Sequence, residues 1–235
     1  MQAKKLQSMA IEVQQMIKID ERFYKVQDVR RLTDDTFSIR LPKSRFKFRA
    51  GQHISLGING DYQSREYSIY SGENDENLEV LVKEVKAGYF SPKLAKLKQG
   101  TLVEVNGPFG KFRIDEKRIA DHKFVFIASG TGIAPFRSMV RTYPELDYLV
   151  IHGVRYGNEA YDKHEYDPER HILCTTADKI GQVHGRLTTG YLKTATFGAN
   201  TQFYLCGNSN MIFDALEILK EKGFDREQIH CEVYF

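Results

Sequence analysis

Cysteine is scarce in this chain: Cys174, Cys206 and Cys231 are the three in 235 residues, odd in number and widely spaced. That excludes a disulfide framework, and it supplies neither a zinc-ligand pattern nor the four-cysteine set of an iron–sulfur cluster. No metal site is expected. No apolar run approaches the roughly 20 residues that a membrane-spanning helix needs, so no membrane partner is expected. Residues 1–19 mix charges with apolar side chains and lack the uninterrupted apolar core and small-residue cleavage site of a secretory signal, which points to a cytoplasmic protein. They read as an N-terminal extension to which no element is assigned.

The hydrophobic content of 41% and charged content of 28% are those of a soluble globular protein. The length suits two domains of ordinary size, each with its own core. The net charge of +3 conceals an asymmetry, because residues 1–50 hold 12 Lys and Arg against 6 Asp and Glu while the remainder is net acidic. Such a basic segment is either a solvated face or a landing site for an acidic partner. It lacks the interleaved aromatic residues of a single-strand nucleic-acid platform, so nucleic acid is not an expected partner.

From Tyr24 to about Pro108 the chain reads as six β-branched and aromatic runs: 24–32, 36–41, 53–58, 67–70, 78–85 and 102–105. Turn residues such as Asp34-Asp35 and Asn59-Gly60 separate them. Six antiparallel strands of this length predict a small closed barrel over residues 20–116. Within it, Arg65-Glu66-Tyr67-Ser68-Ile69-Tyr70-Ser71 alternates, placing Arg65, Tyr67 and Ile69 on one side and Glu66, Ser68 and Tyr70 on the other. Such a strand offers Tyr67 for stacking, Arg65 for a phosphate and Ser68 for a hydrogen bond at a ring edge. Before the last strand comes Gly88-Tyr89-Phe90-Ser91-Pro92. Ser91 as N-cap and Pro92 at the first helical position predict a short helix with free N–H groups, and Gly88 leaves room for a ligand; either a plain plug or a pyrophosphate site results.

Beyond Gly107-Pro108-Phe109-Gly110 apolar strands alternate with helical segments, which predicts a parallel α/β sheet over residues 117–235. Strands are expected at 124–128, 148–152, 171–175, 203–206 and 229–234, and helices at 134–142 and 210–222. The first strand runs into Ser129-Gly130-Thr131-Gly132-Ile133-Ala134-Pro135. This is a glycine turn with strand before and helix after, the context of a dinucleotide pyrophosphate site, although it ends in Ala-Pro instead of the usual pattern. Ligands of open parallel sheets sit at the carboxyl ends of the strands, so Cys206-Gly207-Asn208 is expected at the same edge as Thr131. No Lys, Arg or His adjoins Cys206 to make a thiolate, and no covalent role follows.

Taken in order, Arg65-x-Tyr67-Ser68-x-x-Ser71, Gly88-x-x-Ser91, Gly130 to Pro135, Cys206-Gly207-Asn208 and Glu232-Val233-Tyr234-Phe235 resemble the ferredoxin–NADP reductase family. The resemblance implies an FAD-binding barrel followed by an NAD(P)-binding α/β domain, with the flavin between them. It implies that Tyr67 lies against the isoalloxazine, that Ser68 bonds near N5, and that Arg65 and Ser91 hold the FAD pyrophosphate. Tyr234 then covers the other ring face as a gate, Phe235 matches the extra terminal aromatic of the bacterial branch, and Thr131, Cys206 and Glu232 border the nicotinamide. The implied reaction is hydride transfer between NAD(P)H and flavin N5.

Two departures matter. Where NADPH-selective members carry Ser-Arg, this chain has Thr175-Thr176, while Arg155 and Arg186 match two other basic positions of the bacterial branch. Use of both NADH and NADPH is therefore expected. Without a cluster site or room for a haem domain, the electron acceptor is expected to be another molecule: an acidic carrier such as ferredoxin or flavodoxin, or an oxygenase component. The run Arg40 to Arg49, with Arg45, Lys47 and Arg49 outward, is the candidate docking surface, and a solvated loop is its alternative. A monomer is expected. The competing reading is an electron-transfer flavoprotein subunit of a larger oxygenase or dehydrogenase complex.

Overall fold

A computed structural model describes residues 21–44 and 46–234 of the chain. The first half forms two antiparallel sheets. One has the order β1 (Phe23–Lys25), β7 (Leu102–Phe109), β4 (His53–Ile58), β5 (Ser64–Ser68), and the other the order β2 (Asp28–Thr33), β3 (Thr36–Pro42), β6 (Asn77–Lys83). A single bridge between Ile69 and Val80 joins them. Ile39, Ile54, Leu56, Ile69, Val80, Val82 and Val103 fill the space between, because alternate residues of each strand point inward.

The barrel has seven strands, not six. The run 24–32 contains no turn residue, yet it changes partner: β1 pairs with β7 and β2 with β3. At the switch the Val26 N–H donates to the Thr101 carbonyl and the Gln27 N–H to the Arg40 carbonyl, with Val26 buried in the core. The short helix α1 spans Ser91–Leu94 and is also capped differently from expectation. Phe90 is its N-cap residue, with no side-chain cap, and Ser91 is already helical. The Ser91 hydroxyl instead accepts from the Val85 N–H at 2.9 Å, a donor that the preceding turn would otherwise leave unpaired.

The second half is a six-stranded parallel sheet of order β11 (Val183–His184), β10 (His171–Thr175), β9 (Tyr148–Val154), β8 (Lys123–Ser129), β12 (Thr201–Asn208), β13 (Ile229–Tyr234). The two-residue β11 carries too little pattern to be read from sequence. Helices α2 (Ala134–Thr142) and α3 (Ser209–Glu221) cross over the sheet. The side of the sheet toward the barrel is aromatic: Phe126 stacks on Phe136 of α2 with centroids 4.8 Å apart. Such rings bury large apolar areas and pack well offset or stacked.

The halves are joined by a buried ionic network. Arg137 of α2 pairs with Glu79 of β6 at 3.2 Å and with Glu165 at 2.6 Å. Arg30 of β2 grips both oxygens of Asp162, at 2.8 and 2.7 Å, and the Tyr70 hydroxyl donates to the same carboxylate at 2.9 Å. These partners hold Asp162 and Glu165 below the usual carboxylate range despite their burial. The network sets how the two sheets face each other, and so where the site lies.

Candidate active site

β8 ends at Ser129, and Gly130–Ile133 make one tight turn directly into α2. A side chain at Gly132 would stand 2.3 Å from the Cys206 carbonyl, so only glycine lets this turn lie on β12. Gly130 faces open space, and its carbonyl oxygen lies 2.9 Å from Nε2 of the buried His152. The exposed side of the turn therefore presents backbone to a cleft of about 690 Å³ at the carboxyl ends of the parallel strands. Gly130, Thr131, Arg155, Thr176, Arg186, Gly207 and Tyr234 all line it. Seven residues predicted for nucleotide contact thus converge on one cleft. Its glycine floor and two arginine walls suit a dinucleotide phosphate chain.

Toward the barrel, the alternation of β5 holds. Tyr67 packs against the barrel core, while Ser68 points to the other half, where its hydroxyl donates to Glu232 Oε2 at 3.0 Å. Burial pushes the Glu232 carboxyl up from its ordinary value, against the opposing pull of Ser68 and His53. The Tyr234 hydroxyl interacts with both Ser68 and Cys206. Cys206 is fully buried, which pushes its thiol well above the ordinary range. It backs the site as a neutral thiol and does not line the cleft.

Arg65 is exposed; its guanidinium donates to the Ser64 carbonyl at 2.8 Å and to Gln63 Oε1 at 3.2 Å. Nearby, Asp61 ties the β4–β5 loop to the segment before α1 by accepting from Lys93 at 2.7 Å, and the Lys93 ammonium sits 3.6 Å from the Tyr89 ring centroid. Tyr62 is wholly exposed and Tyr89 more than half so. Exposed aromatic and basic side chains clustered in this way suit a flat ring system joined to phosphates. Gly88 and Ser91 belong to the same turn, though both are engaged with Val85: Gly88 donates to its carbonyl at 2.7 Å. Phe235 lies outside the described residues.

Sequence reasoning missed His53, whose Nδ1 is 3.6 Å from Glu232 Oε1. A lone histidine opening a strand gives no local signal. It also missed Arg137, Asp162 and Tyr70, which orient the two halves. Among the described residues no group of histidine, cysteine and carboxylate side chains is arranged to hold a metal ion.

The oxidoreductase FAD-binding domain model matches residues 17–114, and the oxidoreductase NAD-binding domain model matches residues 126–217. The flavodoxin/ferredoxin–NADP reductase of Rhodobacter capsulatus is 32% identical over 239 residues, covering 88% of this chain and 88% of that one. The chain belongs to the ferredoxin–NADP reductase family. A solved ferredoxin NADP+ reductase from Neisseria gonorrhoeae, with bound FAD and NADP, shares the fold at a TM-score of 0.77 and 24% identity, over 92% of this chain and 100% of that one. The flavohemoprotein of Bacillus subtilis is 28% identical over 80% of this chain but only 52% of its own length. Against the first few curated relatives the chain spans between 52% and 66% of their length. No helix among the described residues is long and apolar enough to cross a membrane.

Proposed function

We propose that this chain is an FAD-dependent oxidoreductase that transfers hydride between NAD(P)H and flavin N5 and passes the electrons to a separate carrier. The observation that carries the reading is the meeting of two halves at one place. Glu232 and Tyr234, beside the nucleotide cleft, interact with Ser68 of the barrel strand that bears Arg65 and Tyr67.

FAD, when bound, supplies the ring that takes up hydride and releases electrons. Everything else falls to the chain. Residues 20–116 bind the flavin, with Tyr67 as stacking plate, Ser68 as hydrogen-bond donor near N5, and Arg65, Gly88 and Ser91 about the pyrophosphate. Residues 117–235 bind the nicotinamide nucleotide, with Gly130, Thr131 and Gly132 at its pyrophosphate and Arg155, Thr176 and Arg186 at its ribose end. Tyr234 occupies the entry to Ser68 and Cys206, and it must move aside when nicotinamide enters. Glu232, held partly protonated by burial, exchanges protons at that edge. The family's printed names include a dioxygenase electron transfer component and a ferredoxin/flavodoxin reductase, which supports an acidic carrier or an oxygenase component as acceptor. A cytoplasmic monomer agrees with this role.

The test is direct. The purified protein is expected to be yellow, and its flavin to bleach anaerobically on addition of NADH or NADPH. A colourless protein that takes up no FAD would overturn the reading. The relatives' greater length favours a second reading, an electron-transfer subunit of a larger complex, and a bound flavin that fails to bleach would select it.

A further inference from the structure

His53 opens β4, and the sheet register sets it opposite Ser68 of β5 on one side and Phe109 of β7 on the other. Its imidazole lies between two carboxylates: Nδ1 is 3.6 Å from Glu232 Oε1, and Nε2 is 3.8 Å from Glu66 Oε2. Side-chain exposure falls along this line from 72% at Glu66 to 19% at His53 and 18% at Glu232. The far oxygen of Glu232 accepts from Ser68. Room for the pair comes from Gly110, at φ +93°, where a Cβ would stand 2.9 Å from His53 Nδ1 and 3.8 Å from Glu232 Oε1. The tilted Phe109 ring, 6.0 Å away, covers the imidazole. Cys206 and Tyr234 also face Glu232, and burial keeps both protonated.

We propose that His53 is a proton-relay and positioning residue that connects the buried Glu232 carboxyl to the solvent-facing Glu66. The Glu232 carboxyl gives its proton to Nδ1 while the Nε2–H gives its own to Glu66 or to water. One proton leaves, the ring ends as the opposite tautomer with unchanged charge, and no electrons move; the reverse sequence returns a proton. The distances exceed a direct hydrogen bond, so a bridging water or a small ring rotation completes each contact. A buried carboxyl without such an exit exchanges slowly, whereas an imidazole with both nitrogens engaged transfers protons near neutral pH. The inference rests on the reading that Ser68 and Glu232 border the flavin.

Histidine-selective ¹⁵N NMR of the full-length, FAD-loaded protein tests the relay between pH 5 and 9. Removing either negative neighbour, by Glu66→Gln or Glu232→Gln, is expected to lower the His53 midpoint by about half a unit or more. The His53→Gln variant is expected to lose on the order of 10- to 100-fold in kcat for carrier reduction, with an altered pH profile and partial rescue by free imidazole. A His53 midpoint unmoved by both carboxylate changes, or a His53→Gln pH profile superimposable on the wild type, overturns the proposal. Glu66 is exposed, so its variant keeps the test available if the others fold poorly. A wild-type flavin that does not bleach with NADH or NADPH would defeat the functional reading, while the NMR titration still decides whether His53 links the two carboxylates.

Discussion

Arg137 on α2 donates to the main-chain carbonyl of Tyr70 at 2.8 Å, and its guanidinium lies 4.1 Å from the centroid of the Tyr70 ring. One side chain thereby joins the parallel-sheet half to the end of the strand that carries Tyr67 and Ser68. Desolvation opposes its charge, but Glu165, Tyr70 and Glu79 keep the guanidinium firmly protonated. Arg137→Ala leaves Glu79 and Glu165 without this partner and is expected to cost about 3–5 kcal/mol of folding stability, as breaking a buried pair does. Urea denaturation measures this, and a loss under about 1 kcal/mol would show that Arg30 and Arg141 suffice.

Stability should fall on mild acidification. His152 and His171 are buried with ring centroids 6.0 Å apart, and burial pushes them down to about 3 and about 4. Both stay neutral in the folded chain, whereas in the unfolded chain they take up protons below about 6.5. The unfolded state therefore binds more protons, and the stability they contribute at neutral pH is lost as pH falls from about 6.5 toward 4, at about 1.4 kcal/mol per unit for each histidine. Urea midpoints between pH 7.5 and 4.5 should drop steeply in the wild type and less so in His171→Phe. Parallel curves for the two proteins would count against this account.

Flavin retention should depend on β5. Tyr67→Ala removes a half-buried ring that packs beside the barrel core, and Arg65→Ala removes an exposed guanidinium. Each is expected to weaken FAD binding by about 1–3 kcal/mol through lost stacking or phosphate pairing. Extensive dialysis followed by absorbance measures the FAD that remains, and full occupancy in both variants would move the flavin away from β5.

Nucleotide choice should be relaxed. Arg155 and Arg186 line the cleft beside Thr176, where NADPH-selective members have arginine. NADH and NADPH are expected to differ by less than about 100-fold in kcat/KM, and Arg186→Ala to raise KM for NADPH about tenfold or more while sparing NADH. A preference of several hundredfold for NADPH would show that the threonine is compensated fully.

Docking of an acidic carrier should rest on fewer charges than the sequence implies. Lys43 donates to the Asp75 carbonyl at 3.2 Å, and Arg49 pairs with Glu73 at 3.5 Å and with Glu116, so both are occupied within the chain. Lys47 is exposed, whereas Arg45 lies outside the described residues. Changing Arg45 and Lys47 together to Glu should slow ferredoxin or flavodoxin reduction severalfold, most strongly at low salt, and leave reduction of a neutral dye unchanged. Equal loss with dye and carrier, or a salt-independent carrier rate, would remove this surface from the docking face.

The sequence by itself determined those features that follow from local stereochemistry. Alternation on β5 separates Tyr67 from Ser68 because successive strand residues must point opposite ways. The bounds Ala134–Thr142 were legible because a glycine turn and a proline mark the helix start. Motif order sufficed for the family because each motif is a short contiguous run. Tertiary structure alone decided what depends on residues far apart in the chain. Val26 and Gln27 break a strand because Thr101 and Arg40 supply their acceptors, and Ser91 leaves its capping role because Val85 offers a donor. His53 meets Glu232 only when β4 and β13 are brought together. Such pairings depend on how the two cores pack, and no pattern within either segment encodes that.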